Sequence, residues 1–322
     1  MTTSRRQAAF HPMQHYYSLN YYSLEEISVK NAWLTVGIFD GVHRGHREII
    51  RKLTTEAHAN GAPAVVLTFH PHPAGVFTGR EIKCLTTPDE RADILGSLGV
   101  DIVITQLFTP EVASISAYEY MYRLKKTLDL KYLLIGYDFA LGKGREGNAA
   151  RLTEIGRELN YEVEVVNAVG DESGVISSTE IRKLVSTGSV SEAAKLLGYN
   201  YSLSGVVIHG DGRGHRINIS TANIDYPKQK VIPANGIYVC WATVGSEKFM
   251  AATNIGFNPT FTPDKQIRSL EAHLLDFDRD IYGREVKVEF VARLRNELKF
   301  KSVGALLKQI RDDINKTREM LK

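Results

Sequence analysis

From Trp33 onward the apolar residues come in short dense runs, at Trp33–Phe39, Ala64–Phe69, Asp101–Leu107, Lys131–Ile135 and Tyr161–Val166. Between them lie stretches of helix length, such as Arg47–His58, where Ile49, Ile50, Leu53 and Ala57 share one face. Buried-looking strands alternating with amphipathic helices predict a parallel sheet covered on both sides. Ligands of such a sheet sit beyond the carboxyl ends of its strands, so polar motifs directly after a strand are the most informative. Ser178–Asn200 reads as helical with a break at Ser186-Thr187-Gly188-Ser189. After it the pattern shifts to short alternating runs at Leu203–Ile208, Gly236–Val244, Phe249–Asn254, Leu270–Leu275 and Glu285–Phe290. Gly, Pro and Asp separate these runs, which predicts an antiparallel sandwich or barrel. Val303, Leu306, Leu307, Ile310 and Ile314 at helical spacing predict an amphipathic helix over Ser302–Leu321.

The expected organisation is an N-terminal arm over residues 1–30, an α/β domain over 31–190 and a β-barrel domain over 200–322. The arm carries YYSL twice, at Tyr16–Leu19 and Tyr21–Leu24, too short a repeat for a solenoid. A length of 322 residues agrees with about two domains. Forty Lys+Arg against 37 Asp+Glu, with the signs interspersed, give no support for a nucleic-acid binder, though local phosphate pockets remain open. The two cysteines, Cys84 and Cys240, lie in no metal-ligand spacing, which argues against a structural zinc site or a disulfide scaffold. No apolar run approaches the ~18 residues of a membrane span, and the basic N-terminus lacks the apolar stretch of a signal peptide. These features predict a soluble protein of a reducing, cytoplasmic compartment with no membrane or nucleic-acid partner; nothing in the pattern assigns an oligomeric state.

The first predicted strand runs straight into Gly37–His46, GIFDGVHRGH, and then a helix. Gly41 and Gly45 allow a tight turn and close approach of backbone to ligand. The helix start offers N–H groups and a positive dipole end to an anion, with His43 and His46 as further donors. Farther on, Ser177, Ser178 and Thr179 of ISSTEIR can cap a helix or donate hydroxyls to phosphate, and Arg182 adds a charged donor. In the second half, His209–Asn223, HGDGRGHRINISTAN, is a glycine-rich loop without the Gly-Lys-Ser/Thr of a Walker A sequence; alone such a loop is most often just a turn. Alternation on the predicted strand Leu270–Leu275 sets Glu271 on a face with His273 and Leu275, opposite Leu270, Ala272 and Leu274. There it is either a base for a neutral hydroxyl or a solvated strand carboxylate.

GIFDGVHRGH resembles the HxGH signature of the nucleotidyltransferase superfamily, and its extended form resembles the adenylyltransferase half of the bacterial bifunctional riboflavin kinase/FAD synthetase family. Leu67–Pro73 (LTFHPHP), Gly136–Gly147 (GYDFALGKGREG) and Ile176–Arg182 (ISSTEIR) are similar to that family's further motifs, with Leu141 where an aromatic residue is usual. Thr253–Phe261 (TNIGFNPTF), Leu270–Phe277 (LEAHLLDF) and Asp280–Gly283 (DIYG) resemble its riboflavin kinase module in the same order.

The resemblance implies a Rossmann-like nucleotidyltransferase domain followed by a kinase barrel. It implies that riboflavin is phosphorylated by ATP to FMN, and FMN adenylylated to FAD with release of pyrophosphate. Mg²⁺ would serve both steps, with the flavins as substrates and products. By the same resemblance Gly37, Phe39, Asp40, Gly41, Gly45, Asp138, Ser177, Ser178, Thr179 and Arg182 bind nucleotide in the first half. Gly210, Gly212, Arg213 and Gly214 do so in the second, and Phe69, His70 and Pro71 meet the flavin. Thr221 and Asn223 place the metal, Glu271 is the kinase base, and His43 and His46 act on the phosphates. Asn218-Ile219-Ser220 stands where the family has Gly-Phe-Pro. That departure motivates one alternative, a monofunctional FMN adenylyltransferase with a weakened barrel; separate alternatives are a non-enzymatic flavin-binding protein and, since HxGH is shared widely, adenylyl or cytidylyl transfer to a different phosphorylated acceptor.

Overall fold

The computed structural model describes residues 13–18, 27, 29–167, 170–171, 174–210, 219–257 and 268–322. They divide into two compact units. The first takes the described residues up to Ile82 and Thr86–Ile176; the second takes Lys83–Leu85 and Ser177–Lys322.

The first unit is built on a parallel sheet of six strands: β1 (Gln14–Ser18), β2 (Trp33–Val36), β3 (Ala64–His70), β4 (Ile102–Leu107), β5 (Tyr132–Gly136) and β6 (Glu162–Val166). Their order is β1-β4-β3-β2-β5-β6, so the chain builds outward from β2 through β3 to β4 and then returns to the other side of β2. The crevice at such a reversal of strand order is where doubly wound sheets bind ligands. Alternation along the strands feeds two cores. Leu34, Val36, Leu67, Ile104, Leu133 and Ile135 pack with α5 (Ala117–Leu128) and α6 (Ala149–Leu159). Ala64, Val66, Val103 and Leu134 pack on the opposite face with Ile50, Leu53 and Ala57 of α1 (Arg44–Ala59) and Leu95 of α3 (Pro88–Ser97). The short helices α2 (Pro73–Thr78) and α4 (Pro110–Ala113) follow β3 and β4. The predicted run at Trp33–Phe39 ends as strand at Val36, because Phe39 already has φ 49°.

Part of the expected arm is itself a strand. Gln14–Ser18 pairs in parallel with Ile102–Gln106 at the sheet edge, and Tyr16 packs against the apolar core. The first YYSL begins within this strand, while Tyr21–Leu24 lies outside the described residues. The two-residue strands β7 (Gly170–Asp171) and β8 (Gly174–Val175) pair with each other.

The second unit begins with α7 (Ser178–Thr187) and α8 (Val190–Leu197), separated at Gly188, φ 86°, within the predicted break. The ISSTEIR segment from Ser177 onward therefore groups with this unit. A closed antiparallel barrel follows, from β9 (Ser202–Ile208), β10 (Ala222–Asp225), β11 (Gly236–Val244), β12 (Glu247–Phe257), β13 (Arg268–Leu274) and β14 (Glu285–Arg295). Leu203, Val207, Ile224, Cys240, Ile255, Leu270, Ala272, Leu274, Val288 and Phe290 are all buried, as strand alternation around a small barrel requires. The terminal helix α9 (Val303–Leu321) is tied on by Arg295 at the end of β14. Arg295 donates from Nε (3.1 Å) and Nη2 (2.6 Å) to the buried Asp313 carboxylate. No helix among the described residues is long and apolar enough to cross a membrane.

Candidate active sites

The turn after β2 occupies the carboxyl end of a central strand. Phe39, Gly41 and Val42 take φ of 49°, 78° and 37°, and the N–H of Val42 donates to the carbonyl of Phe39 at 3.0 Å. Positive φ at a β-branched residue is strained, and such strain concentrates at functional turns. The turn is held from below. Buried Asp40 accepts the Thr86 N–H at 3.1 Å, and the Gly41 N–H donates to Thr86 Oγ1 at 3.1 Å. Thr68 Oγ1 donates to the Ile38 carbonyl at 2.8 Å. A side chain at Gly37 would run into the Phe39 ring, 2.9 Å from its would-be Cβ.

His43 caps α1: its Nδ1 accepts the His46 N–H at 3.4 Å, a geometry that leaves the ring proton on Nε2. The His43 and His46 rings stack with centroids 3.6 Å apart, and Phe39 meets His46 edge-on at 5.1 Å. Burial pushes the His43 imidazole down to about 4, against the pull of Asp40. His46 keeps a partly exposed surface, but its Nδ1 is enclosed and lacks a hydrogen-bond partner among the described residues. Burial first, then His43 and Arg91, holds its pKa well below the ordinary histidine value. Both rings are therefore neutral at pH 7, stacked where the dipole of α1 favours an anion.

Loops from both neighbouring strands flank this turn. After β3, Phe69 and the partly buried His70 lead into Pro71; Phe69 meets Phe108 edge-on at 5.4 Å, and exposed Phe77 meets Phe108 at 5.7 Å. After β5, Asp138 is exposed and its carbonyl accepts from Arg145 Nη2 at 3.1 Å. Leu141 and Gly147 close that loop by reciprocal backbone bonds of 3.2 and 2.9 Å, and a Cβ at Gly147 would lie 2.7 Å from Ala117. In the second unit Ser177 caps α7, accepting from the Glu180 N–H at 3.3 Å, while Arg182 donates to Thr179 Oγ1 at 3.0 Å. The capping option for this motif is thus realised, with Ser178 in the first turn.

On the barrel, register brings three polar side chains into one row. Asn223 of β10 opposes Glu271 of β13, and Glu271 opposes Asn254 of β12. Opposed residues share a face, and alternation turns all three outward while Leu270, Ala272 and Leu274 are buried. Leu275, expected beside Glu271 and His273, is buried instead, because it lies just past the end of β13. Glu271 is partly buried and accepts a hydrogen bond from Ser269 Oγ at 3.0 Å. His273 Nδ1 is 2.7 Å from the carbonyl of Ser220, which fixes the residue before Thr221. Gly210 packs so closely on Asn223 that any Cβ would collide with its amide. Gly212, Arg213, Gly214 and Asn218 lie outside the described residues.

Two family models cover most of the chain: FAD synthetase over residues 26–180 and riboflavin kinase over 197–321. A bifunctional riboflavin kinase/FMN adenylyltransferase from Listeria monocytogenes is 36% identical over 290 residues, covering 89% of this chain and 92% of the relative. One from Escherichia coli is 34% identical over 301 residues, covering 92% and 95%. The chain belongs to the bifunctional riboflavin kinase/FMN adenylyltransferase family. A solved structure described as a macrolide-efflux protein from Streptococcus pneumoniae is 32% identical, covers 95% of this chain and 99% of its own, and superposes with a TM-score of 0.86. That description concerns the other protein; the family assignment here rests on the two family models and the bifunctional relatives.

Several residues that contact the candidate sites of this riboflavin kinase/FMN adenylyltransferase family member escaped the motif reading. Arg91 is buried beneath the first turn and donates from Nη1 to Thr68 Oγ1 at 2.8 Å and to the Phe69 carbonyl at 3.3 Å. The available signal was Thr87-Pro88-Asp89-Glu90, a capping box that starts α3 and ends one position before Arg91. Thr86, Phe108, Asn254 and Ser269 become visible only through long-range pairing.

Proposed function

We propose how the two activities of this chain, phosphorylation of riboflavin by ATP and adenylylation of FMN to FAD, are distributed over its residues. The observation that carries the reading is the register match of Glu271 with Asn223 on the barrel face. It supports an intact kinase site despite Asn218-Ile219-Ser220, since His273 contacts the Ser220 carbonyl and Asn223 stands opposite Glu271.

In the kinase step Glu271 accepts the proton of the riboflavin 5′-hydroxyl, while the loop containing Gly210, Gly212, Arg213 and Gly214 carries the ATP phosphates. Thr221 and Asn223 offer a hydroxyl and an amide oxygen. Among the described residues no group of three or more His, Cys, Asp or Glu could hold a metal alone. Two neutral oxygen donors fit a Mg²⁺ ion that takes most of its ligands from phosphate and water. When bound, Mg²⁺ neutralises charge on the transferring phosphoryl group.

In the adenylyl step the FMN phosphate is already an anion, so no general base is required. His43 and His46, with backbone N–H groups of the Gly41–Gly45 turn, donate hydrogen bonds to the ATP phosphates and offset charge growing at the α-phosphorus. Asp40 and Arg91 support that turn from beneath. Phe69, His70 and Pro71 border the flavin, a reading supported by the aromatic group that Phe69 forms with Phe108 and Phe77. Asp138 and the ISSTEIR residues Ser177, Ser178, Thr179 and Arg182 serve the nucleotide. The match of the FAD synthetase model through residue 180 supports assigning most of that motif to this half. The functional halves run over 31–190 and 200–322, and the enzyme works in the cytoplasm.

Chelation with EDTA stops both steps and added Mg²⁺ restores them. Asn223→Ala raises the Mg²⁺ concentration needed for FMN formation and leaves FMN-to-FAD conversion unchanged. An unaltered Mg²⁺ dependence of FMN formation in this variant would contradict the assignment.

A further inference from the structure

Ser269 and Glu271 are two residues apart on β13, so their side chains stand on the same outer face. The Ser269 hydroxyl donates to Glu271 Oε1 at 3.0 Å. The same hydroxyl lies 3.4 Å from the carbonyl oxygen of Gly256, its cross-strand partner on β12. A hydroxyl has one proton, so it serves one of these acceptors at a time. Among the described residues Glu271 Oε2 receives no hydrogen bond, which leaves it available to the substrate.

We propose that Ser269 is the positioning residue of the kinase base, a donor that alternates between Glu271 and the Gly256 carbonyl as the carboxyl group changes charge. The proposal rests on the reading of Glu271 as that base. While Glu271 is ionised, the charge-assisted bond to Oε1 is the stronger of the two and fixes the side-chain rotamer. The riboflavin 5′-oxygen forms its bond to the γ-phosphorus as the bond to the bridging oxygen breaks. The electron pair of that bond leaves with ADP, and the 5′-hydroxyl proton passes to Oε2. The carboxyl group is then neutral and a weaker acceptor. Rotation of the Ser269 hydroxyl toward Gly256 keeps its proton bonded, so no donor is stranded when Glu271 is protonated. Loss of the proton from Glu271 to solvent returns the hydroxyl to Oε1. A strand hydroxyl two residues before a carboxylate would otherwise be an ordinary surface position. The second acceptor at the register partner is what equips it for a proton cycle.

The test uses the full chain with riboflavin, Mg-ATP and separation of flavin products. Ser269→Ala lowers kcat for FMN formation about ten-fold, the loss expected for one hydrogen bond to a charged group. KM for riboflavin and ATP stays unchanged, as does FAD formation from supplied FMN. Ser269→Thr, which keeps the hydroxyl, restores most of the rate. A wild-type kcat in Ser269→Ala overturns the proposal. So does an equal loss in Ser269→Thr, or a loss that appears in KM or in thermal stability, since these mark a packing role. Glu271→Gln is assayed beside them. Should it retain kinase turnover, the reading of Glu271 itself fails, an outcome distinct from failure of Ser269.

Discussion

The two candidate sites carry opposite equipment. At the head of α1 stand two stacked, neutral imidazoles, His43 buried and His46 partly so, on a strained turn whose buried carboxylate, Asp40, accepts the Thr86 N–H. On the barrel a partly buried carboxylate stands in a row of amides, with a hydroxyl on one oxygen. The nucleophile accounts for the difference. A phosphate monoester arrives as an anion and needs only positioning and charge neutralisation, whereas a sugar-like hydroxyl must lose a proton during the reaction. Burial suits the first, because donors gain strength where water is excluded. Partial exposure suits the second, because the accepted proton must leave again.

The largest effect expected from this contrast is on the barrel. Glu271→Ala reduces FMN formation by about a thousand-fold, within the usual range for a lost general base. FMN-to-FAD conversion persists, measured on supplied FMN. Loss of both activities in a folded variant would break the claim that the sites work independently. Next comes the frame of the second site. Asp313→Ala leaves Arg295 without its carboxylate at the junction of β14 and α9, and costs about 3 kcal/mol in chemical denaturation. Third, His46→Ala lowers FAD formation about a hundred-fold, as removal of one preorganised donor does, and spares the kinase step. A wild-type rate of FAD synthesis would remove His46 from the mechanism.

The smallest expected effect is on pH dependence. Folded His43 titrates near 4, below the ordinary 6.5, with burial as the main cause. Between these values the unfolded chain binds more protons than the folded one, so stability falls as pH drops from about 6.5 toward 4 and levels off below. His46 is shifted in the same direction and adds to this slope. His43→Asn retains a capping acceptor and makes the slope shallower in urea titrations at several pH values. An unchanged slope would mean that His43 is more solvated than its enclosure indicates.

Legibility in the sequence followed range. The strand runs at Ala64–Phe69 and Gly236–Val244, the break near Gly188 and the GIFDGVHRGH turn are local patterns, and each stands in the fold where its pattern predicts it. The edge strand Gln14–Ser18 was hidden because its pairing with β4 spans almost ninety residues and its polar composition lacks a strand signal. Arg91 was hidden because a charged helix residue reads as solvent-facing, while here it lies buried under the turn after β2, bonded to Thr68 and Phe69. The partnership of Glu271 with Asn223 and Asn254 depends on barrel register. Register is decided when the barrel closes, and the separate strands do not contain it.

The central claim is that one chain carries both chemistries, the barrel making what the sheet domain consumes. Incubation of the enzyme with riboflavin, ATP and Mg²⁺, followed over time by separation of flavins, tests it most directly. The account predicts FMN appearing first and FAD after it. Conversion of supplied FMN to FAD with no FMN ever formed from riboflavin would contradict it.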